Sequence, residues 1–136
     1  MIDSALRTLL AADGTVAGMV GSYIYPGDIP QEVGFDRAIA FSKISVTDRE
    51  IAHDGPIPTA RTNFQFDCLS KETGSFTKEI GAKQLAAAVI DCLHGYRGTV
   101  AGETILETRV TGETDVGTAD TQYFQVSLDV EIVHRE

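Results

Sequence analysis

The stretch DREIAHDGPIPTARTNFQFDCLSK, from Asp48 to Lys71, ends in a clear strand pattern. Apolar side chains occupy every second position of that pattern, at Phe64, Phe66 and Cys68. Polar side chains occupy the alternate positions, at Asn63, Gln65 and Asp67. Because successive side chains of a strand point to opposite faces of a sheet, this alternation predicts a strand with one buried face and one polar face.

The connection that leads into this strand is unusually long. The preceding segment, Ala38 to Thr47, is also predicted to be a strand, with a bulge near Ser42 or Lys43 where its apolar alternation changes face. A loop of roughly a dozen residues would then join the two strands, whereas hairpin loops usually have two to five. Pro56 and Pro58 stiffen this connection. A connection of this kind is either a lid over a reactive centre or a contact for another molecule.

The remaining helices and strands are predicted from the spacing of apolar residues. Helical spacing predicts a helix from Ser4 to Ala12, a short helix in residues 15–20 and a long helix through residues 82–93. Alternation predicts two further strands, in residues 106–110 and 124–132. The order is therefore helix, helix, strand, strand, helix, strand, strand. We expect a single α+β domain over residues 1–136, with a four-stranded, mainly antiparallel sheet and helices packed on one face.

Composition excludes several classes of function. The chain has 136 residues, 43% hydrophobic and 23% charged, which is typical of a globular domain. Its net charge of −9 argues against nucleic-acid binding through phosphates, since it would repel them. No apolar run approaches the roughly 20 residues of a membrane span, and the N-terminus lacks the cationic region of a signal peptide.

The sequence contains no catalytic motif that we recognise, such as G-x-S-x-G, a P-loop, a dinucleotide fingerprint or H-E-x-x-H. Cys68 and Cys92 are interpreted as buried thiols, and the histidines are too scattered for a zinc site. His53 and Asp54 are adjacent, so both side chains would rarely reach one substrate. Cys92 and His94 diverge on a helix. We therefore expect no catalytic residue, cofactor or metal.

Two predicted strands together carry a broad polar and acidic surface, which we call the polar strand face. Its residues are Asn63, Gln65, Asp67, Gln125, Asp129 and Glu131, together with Ser127. Simple exposure to solvent explains most such surfaces. The alternative is that this face meets another subunit or lines a ring, where repulsion of phosphate would help DNA to pass.

Five pieces of the chain carry a resemblance through their order and spacing. They are ALRTLLAADGTVAGMVGSYIYPGDIPQ, ISVTDREIAHDGP, ARTNFQFDCLSKE, AAAVIDCLHGYRGTVAG and TQYFQVSLDVEIVHRE. Together they resemble the small tail-completion proteins of long-tailed phages, also called tail terminators or head–tail joining proteins. One departure is Leu69-Ser70, where that family often has a tryptophan.

The resemblance implies a structural virion protein and not an enzyme, without catalytic residues or cofactor. It implies a ring, commonly a homohexamer, on the head-proximal end of the tail tube. There the ring would end tube polymerisation and join tail to head, in contact with the tail tube protein and a head-completion or connector protein. DNA would pass through without specific binding, and no membrane is involved. The expected location is the tail–neck junction of the virion, and the host cytoplasm during assembly.

Under this resemblance the segment from Asp48 to Thr59, which we call the arm, is a contact for a neighbouring subunit or the tube. The candidate interface residues are Asp48, Arg49, Glu50, Ile51, His53, Asp54, Pro56, Ile57 and Pro58. A loop without a partner is the alternative. Two other functions stay open: another neck or tail component, such as a capsid-side adaptor or a tube subunit, and a small cytosolic enzyme or ligand-binding domain with a pocket between the sheet and the third helix.

Overall fold

The computed structural model describes residues 2–27, 34–51, 58–118 and 123–135. Three helices and six strands form along the chain. The helices are α1 Ile2–Ala12, α2 Gly14–Val20 and α3 Lys78–Leu93. The strands are β1 Ile24–Pro26, β2 Arg37–Ile51, β3 Pro58–Lys71, β4 Gly98–Val100, β5 Glu103–Thr118 and β6 Tyr123–Arg135.

The strands form one mixed sheet in the order β1-β2-β3-β6-β5-β4. β1 runs parallel to β2, and the other neighbouring pairs are antiparallel. The predicted four-stranded, mainly antiparallel sheet is therefore wrong: the sheet is a six-stranded, mixed half-barrel. β1 and β4 have three residues each, which is too short for alternation to reveal them.

The hairpin of β2 and β3 is longer than predicted. Its ladder runs from Arg37 opposite Ser70 to Ile51 opposite Pro58, so the first part of the arm continues the sheet. The predicted loop of roughly a dozen residues is wrong, since the two strands are separated only by residues 52–57, outside the described ranges. The strand was missed there because a run of charged residues interrupts the apolar alternation.

The predicted bulge in β2 is confirmed. The register shifts between Lys43 and Ser45, which leaves Ile44 as the extra residue. Ile44 is 59% exposed. A bulged residue has no cross-strand partner, and the apolar alternation of β2 changes face at this point for that reason.

Helix boundaries follow from capping side chains. α2 begins after Asp13, whose Oδ1 accepts the amides of Thr15 and Val16, each at 3.0 Å. α3 begins after Thr77, whose Oγ1 accepts the amide of Ile80 at 3.3 Å. These bonds satisfy amides that have no partner inside the helix, and they fix where each helix starts.

One core lies between the helices and the inner face of the sheet. The rings of Phe41 and Phe66 stack there with centroids 5.0 Å apart, and Phe64 packs against both. The core cluster also takes buried residues from all three helices. α1 contacts both β1 and β4, the strands at opposite edges, so the sheet curls around the helices.

We expect Phe66→Ala and Val126→Ala each to destabilise the protein by about 2 to 5 kcal/mol, with Phe66→Ala at the upper end. Both side chains are fully buried in the core, so truncation leaves a cavity. Urea unfolding followed by circular dichroism measures the change. Asp91→Ala, on the exposed side of α3, is the control and should change stability by less than about 0.5 kcal/mol. Equal stability of the three variants would contradict the assigned core.

Gly81 lets α3 approach the sheet closely, and this predicts an unusual response to alanine. A methyl group at Gly81 would fall on Ser70 Oγ and on the ring of Phe76. Gly81→Ala should therefore destabilise by about 1 to 3 kcal/mol, although alanine is the better helix former. Gly18→Ala in α2 is the control, since nothing lies within 4 Å of the added methyl, and it should stabilise by up to about 1 kcal/mol. Urea unfolding of both variants measures the two changes in unfolding free energy. Changes of the same sign would contradict the prediction.

Candidate assembly surfaces

The polar strand face is formed by neighbouring strands, because β3 and β6 lie side by side. Asn63 is opposite Glu131, and Gln65 is opposite Asp129. The remaining members, Asp67 and Gln125, lie on the same two strands, and both hydrogen-bond to Ser127. The face lies on the side of the sheet away from the core. The structure therefore brings together the six predicted residues of this surface.

Hydrogen bonds hold part of the polar strand face in a fixed arrangement. Asp67 Oδ1 accepts from Ser127 Oγ at 2.8 Å and from Gln65 Nε2 at 2.9 Å. Gln125 Nε2 donates to Ser127 Oγ at 3.1 Å. Four side chains from two strands thus satisfy one another, so this part of the face is preorganised as a polar surface.

Arginines partly neutralise the acidic end of the same face. Glu131 Oε1 accepts from Arg61 Nη1 at 2.9 Å and from Arg109 Nη2 at 3.2 Å. Arg61 comes from β3 and Arg109 from β5, on either side of β6. Exposed ion pairs contribute little stability, about 0 to 1 kcal/mol each. Their effect here is on charge: the face is acidic around Asp67 and Asp129 and mixed around Glu131.

The predicted arm residues are divided between described and undescribed parts of the chain. Asp48, Arg49, Glu50 and Ile51 lie in β2, and Pro58 is the first residue of β3. The others lie outside the described residues: His53, Asp54, Pro56 and Ile57. The described part of the arm is therefore an extension of the β2–β3 hairpin.

The two thiols are poorly suited to nucleophilic chemistry. Burial raises the pKa of Cys68 far above its ordinary value, and the charges of Asp67 and Glu113 raise it further. Burial, with a smaller effect of Asp13, raises the pKa of Cys92 to about 12. The thiolate is the reactive form, so both cysteines are overwhelmingly protonated near neutral pH.

His94 does not act on the nearby thiol in this arrangement. Its Nδ1 accepts the backbone amide of Val110 at 3.1 Å, while Cys92 Sγ lies 3.9 Å from the carbonyl oxygen of Leu9. Within the described ranges, no group of three or more His, Cys, Asp or Glu side chains could hold a metal ion. No helix in that part of the chain is long and apolar enough to cross a membrane.

Two of the open depressions on the described part of the surface bear on the search for a ligand pocket. The larger has a volume of about 420 Å³ and is lined by His94, Gly95, Arg97, Leu106, Glu107, Thr108 and Arg109. The smaller, about 220 Å³, lies beside Asp67 and Gln125 at the polar strand face. Neither is lined by a residue of α3. The pocket between the sheet and the third helix that a small enzyme would require is thus not one of these two.

Sequence reasoning missed two unpaired edges of the sheet. β1 pairs only with residues 39–41 of β2, and β4 pairs only with residues 103–105 of β5. Farther along β5, the carbonyl oxygen of Thr108 accepts from the amide of Gly95 at 2.8 Å, and the amide of Val110 donates to His94 Nδ1. Among the described residues, no strand pairs with the outer side of residues 42–51 of β2 or 111–118 of β5. No local signal marks an edge, since edge status depends on which strands pair.

Comparisons with known proteins identify the fold and the family of this chain. The family model described as Tail completion protein gp17 matches residues 4–135. No curated protein matches the chain. A solved structure described as "Virion of native gene transfer agent (GTA) particle" contains a chain with a TM-score of 0.73 and 19% identity, covering 99% of this chain and 95% of that one. At that identity the likeness shows a shared fold.

The family match extends over nearly the whole chain, from the first turn of α1 to the end of β6. It confirms the resemblance that the five sequence pieces indicated. The protein therefore belongs to the family of Tail completion protein gp17 and is a structural protein of a phage-type virion tail.

Proposed function

We propose that the protein forms a ring, a homohexamer, on the head-proximal end of a tail tube, where it ends tube polymerisation and joins the tail to the head. Membership of the tail completion family supports the location. One observation carries the ring: among the described residues, the outer sides of residues 42–51 of β2 and 111–118 of β5 pair with no strand, and these two unlike edges lie toward opposite ends of the strand order.

The two unpaired edges favour a head-to-tail contact between copies. Each edge presents backbone amides and carbonyls that require partners. Because the edges differ, β2 of one subunit would meet β5 of the next, which is a heterologous contact. A heterologous contact produces a closed ring when the rotation between neighbours divides a full turn, and a filament when it does not. A protein that completes a tube requires the closed form.

The polar strand face suits the lumen of such a ring. Its side chains bond to one another around Asp67, and Arg61 and Arg109 are already paired with Glu131. A DNA phosphate would therefore find few cationic side chains that are not already paired with a carboxylate. The net charge of −9 also disfavours binding of DNA to the protein. DNA would pass without specific binding.

The described part of the arm continues the β2–β3 ladder as far as Ile51 and Pro58. The arm would contact a neighbouring subunit or the tail tube protein, while another surface would meet a head-completion or connector protein. This role is non-enzymatic. The raised pKa values of Cys68 and Cys92 support it, since neither thiol supplies a ready nucleophile.

Purified tail tubes test the proposal directly. After mixing, electron microscopy should show one added ring at a single end of each tube, and those capped tubes should stop growing when tube protein is supplied. Virions made without the protein should have overlong or headless tails, which the wild-type gene should restore. Normal tails in its absence would overturn the proposal. Growth of the protein itself into long tubes would identify a tube subunit instead.

Shortening the arm should separate folding from assembly. Residues 51–58 are replaced by Asn-Gly, which closes a two-residue hairpin between Glu50 and Thr59. The monomer should keep its circular dichroism spectrum and melt within a few degrees of wild type, while capping of tubes is lost.

A milder variant, Pro56→Ala with Pro58→Ala, keeps the length of the arm and should weaken capping only partly, because a less rigid arm loses more entropy on binding. Sedimentation with purified tubes measures both variants. Normal capping by the shortened arm would remove the arm from the interface.

A further inference from the structure

We propose that neighbouring subunits of the ring join by antiparallel strand pairing, with residues 42–48 of β2 in one copy against residues 112–118 of β5 in the next, centred on Ile44 and Val116. The partner is a second copy of this chain. The inference rests on the ring proposed above and names the contact that closes it.

Exposed apolar side chains on β2 and β5 are the evidence that these two edges form a contact. Among the described residues, the exposed large hydrophobics are Ile44 at 59%, Ile80 at 51% and Val116 at 51%. Ile44 and Val116 each lie at a register shift, between Lys43 and Ser45 in one strand and between Asp115 and Gly117 in the other. Each is thus an extra, β-branched residue on an unpaired edge, where contact with another strand would remove it from water.

The direction of pairing follows from the topology. β2 is antiparallel to β3, β3 to β6, and β6 to β5, so β2 and β5 run in opposite directions within one subunit. In a ring whose strands run roughly along its axis, the rotation from one subunit to the next preserves the direction of each strand. β2 of the neighbour would therefore meet β5 as an antiparallel partner, which the ladder of hydrogen bonds accommodates.

A single register uses both unpaired stretches. Placing Ile44 opposite Val116 sets Ser42 opposite Thr118 and Asp48 opposite Gly112. The pairing begins where β1 leaves β2, after Phe41, and it ends before Val110, whose amide already bonds to His94. Within one subunit the cross-strand pairs Ser42–Gln65, Gln65–Asp129 and Asp129–Gly112 place Ser42 and Gly112 at the same height along the strands.

Between subunits the proposed register places Ser42 opposite Thr118 instead. Each subunit is therefore displaced along the strand direction relative to its neighbour, as strands are in closed sheets with tilted strands.

Charges beside the two apolar residues are complementary. Lys43 is exposed next to Ile44 on β2, whereas Asp115 is exposed next to Val116 on β5, with Glu113 exposed two residues before Asp115. Asp115 lies 3.5 Å from Lys83 Nζ but keeps a half-exposed side chain, so it is accessible to a second cation. Opposite charges on the two edges favour the heterologous contact and oppose pairing of like edges.

A cysteine pair tests the register. Ile44→Cys combined with Val116→Cys should form intersubunit disulfides in rings assembled on tubes and treated with a mild oxidant. Opposed residues in an antiparallel pair have Cα atoms about 4.5 to 5.5 Å apart, within disulfide range. Non-reducing electrophoresis should show a ladder that ends at the closed ring. Each single variant should give at most a dimer, and wild type should give neither, since Cys68 is buried and Cys92 is partly buried.

A matched pair of substitutions tests the apolar contact. Ile44→Asp should weaken ring assembly by about tenfold or more, because it places a charge at the centre of the contact. Ile80→Asp introduces the same change at an exposed isoleucine on α3, outside the two strand stretches proposed to pair, and should assemble as wild type does. Both variants should melt as wild type does, since neither side chain is in the core.

The outcomes separate this inference from the proposed function. Rings that form on tubes but give no cross-linked ladder, or that tolerate Ile44→Asp, overturn the strand pairing and leave the ring standing. Wild-type protein that forms no ring on tubes overturns both. A ladder from the cysteine pair, with loss of assembly in Ile44→Asp alone, supports the pairing.

Discussion

The fold depends on the close contact between α3 and the inner face of the sheet. Small residues along the helix, with Gly81 against Ser70, let its axis approach the strands, and the rings of Phe41 and Phe66 fill the space beneath. The inner face of the sheet thereby contributes the buried side chains of β3 and β6 to the core. Within the described ranges, no strand or helix covers the other face or pairs with the outer sides of residues 42–51 of β2 and 111–118 of β5, and a protein that assembles with others requires such accessible surfaces.

Sequence patterns predicted the parts of this structure that depend on local periodicity. Alternation identified the strands around Phe66 and Val126, their polar face and the bulge that Ile44 occupies. It missed β1 and β4, since three residues contain little more than one period of a strand. It also missed the end of β2, where Asp48, Arg49 and Glu50 interrupt the pattern although the backbone continues the ladder.

Sequence patterns also predicted which residues form the polar strand face, but not the contacts between them. The polar residues of β3 and β6 were placed on one face by their spacing, but their hydrogen bonds depend on the register between the strands. The neutralisation of Glu131 could not be predicted, since Arg61 and Arg109 reach it from two different neighbours. The unpaired edges were hidden for the same reason: pairing between distant segments decides them, and no window of sequence contains that information.

The short length of β1 and β4 affects when copies of the chain would join into a ring. These two short strands cover only part of each outer side, and the pairing proposed between copies spans about seven residues, a length at which an isolated two-stranded ribbon is marginal in water. Free copies would therefore collide and separate. Closure would become favourable only when a template holds several copies at once, so that each new link is intramolecular and the last one completes a circle. The weakness of each single link would prevent circles from closing before a template is present.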